Sequence, residues 1–416
     1  MNLHLQKSTI QRVSKIVITG SKSEANRLLI LKALYPNIII ENLSNSDDSE
    51  LMQKALQISS NTPESSLVSI DIHHAGTAMR FLTAYLSVQD QKEFVLTGSH
   101  RMKERPIGIL VDALRALGAD ISYVENEGFP PLKIRGKALT KCKVTLKANV
   151  SSQYISALLL IAPSLENGLE LTLEGKITSV PYIKMTLSLL DQIGVENNFS
   201  GNTITIKPHT SDLTPQTMIV ESDWSSASYF YSIVALSDLG TTVELSSYKK
   251  NSLQGDSILA EIYKQFGVTT AFYDNSITLH KSEAINPKSR IQLNLSNAPD
   301  IAQTIAVTAF GLGLQCDLNG LHTLKIKETD RLEALKAELL KFGAHIEVTN
   351  ESLHLKPSTA IASNSIEVHT YNDHRMAMAF APLALKAGFS IRNADVVSKS
   401  YPDFWKDLKQ LGFSIK

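Results

Sequence analysis

The sequence predicts an α/β protein built from six copies of a two-helix, β-rich unit, and three observations predict it. At 416 residues the chain is too long for one ordinary core and suits two or three domains. Five amphipathic segments each end in a glycine and run into an apolar strand start, at Gly118, Gly194, Gly267, Gly343 and Gly412, with successive glycines 69 to 76 residues apart. A second series of helices keeps step with the first. Its members open on small or polar residues and are apolar all round afterwards.

The glycine-closed segments come first. LVDALRALGADI, LSLLDQIGV, ILAEIYKQFGV, LEALKAELLKFGAHI and FWKDLKQLGFSI each carry a helical apolar stripe. A glycine just past the last turn can take the left-handed conformation that ends a helix. DDSELMQKALQI supplies a sixth copy without the glycine. The second series is SKSEANRLLILKAL, AGTAMRFLTAYL, SSQYISALLLIA, DWSSASYFYSIVAL, APDIAQTIAVTAF and NDHRMAMAFAPLAL, marked by Ser21, Gly76, Ser151, Asp223, Asp300 and Asp373. Ser, Asp and Gly are capping residues, and a helix apolar on every side is a buried one. Between the helices lie strand-like runs such as KCKVTLKANV, LELTLEG, NTITIKP and TTVELSS. The unit is therefore βαβαββ-like, about 70–75 residues long.

Composition narrows the function classes. Lys plus Arg equals Asp plus Glu at 41 each, so the basic excess of a nucleic-acid-wrapping protein is absent. Any anion site must be local. Cys142 and Cys316 stand alone, without metal-ligand spacing, so no metal and no cofactor is expected. Two isolated thiols suit a reducing cytosol, and the first residues resemble neither a signal nor a transit peptide. The longest apolar run, 157–163, is too short to span a bilayer. The expectation is a cytoplasmic, stand-alone, monomeric protein with no nucleic-acid or membrane partner.

Cations cluster where helices begin. Ser23 and Arg27 share a helix face behind Lys22. Arg80 follows Gly76 and Thr77, Arg105 precedes a proline suited to a first helical position, and Arg375 follows Asp373. Lys325 to Leu332 is dense in both signs, and is read as a first helical turn with Lys327 and Arg331 four apart. Cations at helix N-termini oppose the helix dipole, and a bound anion between them would remove the misfit.

The motifs SKSEANR, AGTAMR, MKERPIG, SSQYISALLL, KETDRL, NDHRMAM and KSYPDF, spread over residues 20 to 404, together resemble the 5-enolpyruvylshikimate-3-phosphate synthase family. The resemblance implies the enolpyruvyl transferase fold, an inside-out α/β barrel of two domains with three βαβαββ units each and ligands in the cleft between them. Domain one would be 21–220, and domain two 1–20 with 221–416. It further implies transfer of the enolpyruvyl group of phosphoenolpyruvate to the 5-hydroxyl of shikimate 3-phosphate. By resemblance, Lys22, Arg105, Arg331, Arg375 and Lys399 hold phosphoenolpyruvate, with Gly76 as the floor and Gln153 touching both ligands. Ser23, Arg27, Ser151, Ser152, Gln153, Ser179, Tyr182 and Lys327 hold shikimate 3-phosphate, which Lys22 and Asp300 also reach. Asp300 and Glu328, with Lys22, match the proton-transfer groups.

Two polyanionic substrates need this many cations, with Arg for two-pronged grip. The two positive halves of the site are expected to repel when empty. The sibling transferase acting on UDP-N-acetylglucosamine usually carries a reactive Cys near the Arg105 region, whereas the nearest thiol here, Cys142, lies in a strand-like segment. Four positions depart from the family pattern: His74 and Thr323 where Asn is common, Phe81 where Pro is frequent, and Trp224.

Overall fold

The computed structural model describes residues 1–148, 151–175, 177, 180–209, 215–358 and 366–416. The chain divides into two compact units, Ser21–Val220 and Met1–Gly20 with Glu221–Lys416.

The first unit contains α1 (Lys22–Leu34), α2 (Asp47–Asn61), α3 (Gly76–Ser87), α4 (His100–Lys103), α5 (Gly108–Leu117), α6 (Ser152–Ile161) and α7 (Val180–Gln192). The second contains α8 (Trp224–Leu236), α9 (Leu259–Ile262), α10 (Ala302–Gly311), α11 (Arg331–Lys341), α12 (His374–Phe380) and α13 (Phe404–Leu411). Helices that read as apolar all round are the central ones. α3 packs on α6 in the first unit, and α10 packs on α8 and α12 in the second. α8 is buried along its whole length. The two-sided helices, such as α5 and α13, cover these with one face.

The repeat is plainest in the sheets. Leu67–Asp71 runs parallel to Glu93–Thr97, which pairs antiparallel with Leu132–Arg135, and that strand with Asp120–Tyr123. The same order recurs in Lys143–Lys147, Leu169–Glu174, Thr203–Ile206 and Asn197–Ser200. In the second unit it recurs twice: in Val13–Ile16, Thr242–Ser246, Ser276–Lys281 and Val268–Tyr273, and in Arg290–Asn294, Gln315–Asn319, Ser352–Leu355 and Ile346–Val348. Two smaller sheets complete the set. Ile38–Glu41 pairs with Gln216–Ile219, and Phe389–Arg392 lies between Leu3–Leu5 and Glu367–His369, pairing with each. These two join the opening and closing segments of a unit, so they are assembled from distant pieces of chain.

Local expectations meet three corrections. All five helix-closing glycines have positive φ, from 74° to 114°. However, ILAEIYKQFGV does not form one α-helix. α9 is a single turn between 3-10 turns at Gly255–Ile258 and Tyr263–Phe266. Gly and Ser open this run weakly, and 3-10 winding brings Tyr263 and Phe266 onto one side, where both rings are fully buried at 4.9 Å. Second, the six capping residues are not equivalent. Ser151, Asp223 and Asp373 accept backbone N–H bonds as caps, Ser21 stands at the N-cap without such a bond, and Gly76 is the first helical residue of α3. Asp300 lies in the 3-10 turn Pro299–Ile301, with its carboxylate turned to cations instead of to backbone. Third, Pro106 is not the first residue of a helix, since α5 begins at Gly108.

Trp224 is buried, its ring edge-on to Tyr248 at 5.0 Å and its indole N–H donated to Glu221 at 2.8 Å. It is a core anchor at the start of α8. Gly136 shows what the close-packed first unit demands. Its N–H bonds to Lys92, and a Cβ there would run into the backbone carbonyl of Gln89. Backbone cannot swing away as a side-chain tip can. Gly136→Ala is expected to cost about 2–4 kcal/mol of unfolding free energy, read from urea denaturation. A change within experimental error would contradict this packing.

Candidate active site

In the first unit, the starts of α1, α3, α6 and α7 are tied by side chains. Arg27 is only 2% exposed. It donates to the Ser23 carbonyl (2.7 Å), Thr186 Oγ1 (2.8 Å), Ser156 Oγ (2.9 Å) and the Tyr182 carbonyl (3.3 Å), and so joins α1, α6 and α7. Its guanidinium carbon also lies over two rings, 5.3 Å from the centroid of Phe81 and 5.9 Å from that of Tyr182. Phe81 therefore serves as a face for Arg27, on a helix that runs unbroken through it. Burial lowers the Arg27 pKa to about 10, with Tyr182 and Glu24 opposing the fall, which leaves the group charged at neutrality.

Lys22 opens α1, its Nζ 4.0 Å from Asp48 on the first turn of α2. Gln153 Nε2 donates to Thr77 Oγ1 (3.2 Å) and joins α6 to α3. Ser151 caps α6, and Ser152 is its buried first residue. Ser179 lies outside the described residues. Arg105 lies on the backbone of Gly76: a Cβ there would sit 2.5 Å from Nη1. Arg80, which sequence reasoning left without a role, fixes this arrangement by donating to the carbonyls of Gly76 and Pro106, each at 3.1 Å. His74 precedes α3 with Nε2 3.6 Å from Asp47.

The second unit gathers charge around Arg331, the first residue of α11 and 2% exposed. It donates to Asp373 Oδ2 (2.6 Å) and Oδ1 (3.4 Å), Asp300 Oδ1 (2.8 Å) and Glu328 Oε2 (2.9 Å). Asp373 is fully buried and also caps α12. Arg375 donates to the Asp300 carbonyl (3.1 Å) and to Ser225 Oγ (3.2 Å), and lies 3.6 Å from Asp300 Oδ2. Lys327 Nζ is 3.4 Å from Asp300. Lys399 Nζ donates to the Asn372 carbonyl at 2.8 Å. Thr323 Oγ1 is buried with no hydrogen-bond partner.

Two readings change here. Lys327 is not on a first helical turn. It ends the 3-10 turn His322–Ile326, and α11 starts at Arg331 after Asp330 has capped it. The chain must turn between them so that Lys327, Glu328 and Arg331 all reach Asp300 or one another. The cations of this unit are also not a bare positive surface. Asp373, Asp300 and Glu328 already answer the helix-dipole misfit of Arg331. Burial alone would raise the Asp300 carboxyl, but Lys327, Arg375 and Arg331 outweigh it and hold it far below the ordinary carboxylate range. Burial would lower Arg331 too, and its carboxylates, Asp373 foremost, raise it instead. Among the described residues no group of His, Cys, Asp and Glu is placed to hold a metal ion, and no helix is long and apolar enough to cross a membrane.

A family model described as EPSP synthase (3-phosphoshikimate 1-carboxyvinyltransferase) matches residues 7–408. A 3-phosphoshikimate 1-carboxyvinyltransferase from Bacteroides fragilis is 46% identical over 417 residues, covering 99% of this chain and 98% of its own. One from Haemophilus influenzae is 35% identical, covering 98% and 99%. Among solved structures, an EPSP synthase from Acinetobacter baumannii superposes with a TM-score of 0.80 at 21% identity, covering 100% of this chain and 99% of its own. An enolpyruvyl transferase from Streptomyces tendae does so with 0.74 at 14%, covering 100% and 98%. At those identities the structures speak to the fold alone, and the two-domain α/β enolpyruvyl transferase architecture is the fold they share with this chain.

Arg331→Met would strand a fully buried Asp373. Removing one partner of a buried pair typically costs about 3–5 kcal/mol, and that loss in denaturant unfolding is the expected result. Arg331→Lys is expected to recover little of it, because an ammonium cannot span three carboxylates in one plane. Full stability in the Lys variant would show that charge alone suffices.

Proposed function

From the premise that this chain belongs to the EPSP synthase (3-phosphoshikimate 1-carboxyvinyltransferase) family, we propose how its residues divide the work of that reaction. The enzyme transfers the enolpyruvyl group of phosphoenolpyruvate to shikimate 3-phosphate in the shikimate pathway, with release of phosphate. Each substrate carries a phosphate and a carboxylate. The observation that carries the assignment is the pairing of Asp300 with Lys327, Arg331 and Arg375, a carboxylate set among the cations that two such anions require.

In this reading Lys22, Arg105, Arg331, Arg375 and Lys399 grip phosphoenolpyruvate above the floor at Gly76. Ser23, Arg27, Ser151, Ser152, Gln153, Ser179, Tyr182 and Lys327 grip shikimate 3-phosphate. The 5-hydroxyl oxygen bonds to C2 of phosphoenolpyruvate, its proton passing to Asp300, while Glu328 with Lys22 delivers a proton to C3. The tetrahedral adduct then loses a C3 proton to Glu328, and the C2–O bond to phosphate breaks. Asp300, as it stands, is a weak base because three cations stabilise its ionised form. Substrate anions that occupy those cations would restore its basicity towards the working range. The order of events follows: the base is armed by the ligands it serves.

Both sets of residues must act on one pair of ligands, so substrate-dependent closure of the two units belongs to the proposal, with domains 21–220 and 1–20 plus 221–416. Unchanged solution scattering on adding shikimate 3-phosphate with glyphosate, the family's inhibitor at the phosphoenolpyruvate site, would remove that part. We also read the enzyme as cytoplasmic and monomeric, since Cys142 and Cys316 are free thiols and every assigned role lies on one chain.

Phosphate release with both substrates tests the assignment directly. Asp300→Ala and Glu328→Ala are each expected to lower kcat about a hundredfold or more, with shikimate 3-phosphate still bound. Turnover close to wild type in either variant would withdraw that residue from proton transfer. Phosphate release with UDP-N-acetylglucosamine as acceptor, and none with shikimate 3-phosphate, would overturn the whole reading.

A further inference from the structure

Asp256 has no part in the roles above, yet it is built into them. It lies in the 3-10 turn Gly255–Ile258 and is 3% exposed. Ser225, on the first turn of α8, donates its hydroxyl to Asp256 Oδ2, while Oδ1 is buried without a hydrogen-bond partner. The same Ser225 oxygen accepts from Arg375 Nη2 at 3.2 Å. A continuous chain therefore runs from the Arg375 guanidinium through a hydroxyl to a buried carboxyl.

The turn that carries Asp256 is held firmly. Gln254 Oε1 accepts from the Trp224 backbone N–H (3.0 Å), and its Nε2 donates to the Ser222 carbonyl (2.9 Å). Ser252 donates to Glu221 (2.6 Å), which also accepts from the Trp224 indole. A carboxyl pinned this way cannot turn out to water. The charged groups that face it are Asp300 on the turn before α10, Arg375 on α12 and Asp223 at the cap of α8. Burial first, then the charge of Asp300, push the Asp256 carboxyl up to about 7, with Arg375 and the Ser225 hydroxyl opposing the rise.

We propose that Asp256 is a positioning residue for Arg375: through Ser225 it holds the guanidinium in the empty protein, and it takes up a proton when a substrate anion occupies that guanidinium. The inference rests on the reading that Arg375 grips the carboxylate of phosphoenolpyruvate. An anion there removes the compensating positive charge and adds a further negative one, so the ionised form of Asp256 loses its support. The proton comes from solvent, and the neutral carboxyl can then donate to Ser225 Oγ where it previously accepted. By linkage the coupling is reciprocal: a protonated Asp256 favours the donor, and an ionised one opposes it. Donor affinity therefore falls as pH rises through neutrality, while groups that act only in the chemical step are untouched.

Infrared titration of the substrate-free protein reads the carboxyl itself. Wild type is expected to show a protonated-carboxyl band that fades around neutrality, and Asp256→Asn is expected to lack it. Ser225→Ala removes the hydrogen bond that favours the carboxylate, so the midpoint of that band is expected to move upward. Kinetics read the coupling. KM for phosphoenolpyruvate is expected to rise ~5-fold or more across the two pH units above neutrality in wild type, and to lose that rise in Asp256→Asn with kcat changed far less. A band that survives in Asp256→Asn, a midpoint unmoved in Ser225→Ala, or the same KM profile in both proteins overturns the proposal. Absence of any enolpyruvyl transfer by wild type would instead sink the functional reading, and the Ser225→Ala midpoint would still decide the link in the empty protein.

Discussion

A guanidinium withdrawn from water must be matched almost completely by acceptors, and Arg331 meets that requirement with carboxylates drawn from three separate elements. Asp373 comes from the cap of α12, Asp300 from the turn before α10, and Glu328 from the bend ahead of α11. Each of these elements begins where it does because the charge at its start has a fixed partner. Asp373 serves twice, accepting from the Arg375 backbone as a cap and from Arg331 as a counter-ion. Loss of the arginine would therefore loosen a helix start as well as an ion pair. The packed apolar bodies of α8, α10 and α12 supply the bulk of the stability. The ion cluster decides how their ends are arranged.

Arg27 does the same in the first unit by different means. Two hydroxyls and two carbonyls receive its hydrogens, and the rings of Phe81 and Tyr182 lie within cation–π distance. Neutral acceptors cancel less of the positive charge than hydrogen-bonded carboxylates do, with Glu24 acting on it from the same helix. A charge so placed can still attract an anion, whereas Arg331 has already spent its field on three carboxylates. The two units thus hold different kinds of positive charge, one bonded to neutral acceptors and one to carboxylates.

Much of this architecture was legible in the sequence because it is local. The glycines that close helices, the apolar bodies of α6, α8, α10 and α12, and the capping roles of Ser151, Asp223 and Asp373 depend on residues within a few positions of one another. What escaped depends on partners far apart in sequence. Arg331 is 31 residues from Asp300 and 42 from Asp373, so its excess of counter-ions could not be read from KETDRL. Ser225 and Asp256, 31 residues apart, offered no motif at all. Asp300 was read as a cap from its position at a helix start, and competition from three cations turned it elsewhere. Arg80 was visible in AGTAMR, but its task, holding the backbone around Gly76 and Pro106, could be seen only once the 100–106 segment was in place.

The neutrality of the whole chain takes on meaning at this scale. A protein that binds two polyanions could carry a lasting positive excess, but that excess would also draw in every other phosphate in solution. Here the second unit keeps Lys327, Arg331 and Arg375 answered by its own carboxylates while empty. An anion binding at these cations would have to compete with Asp300 or Glu328, and a ligand with a single charged group would compete poorly against pairs of this quality. A ligand with both a phosphate and a carboxylate can displace on two fronts at once. In the proposed reading, the same displacement would free Asp300 from the cations that hold its pKa down. Selectivity and the arming of the base are, in that reading, both consequences of one exchange of partners.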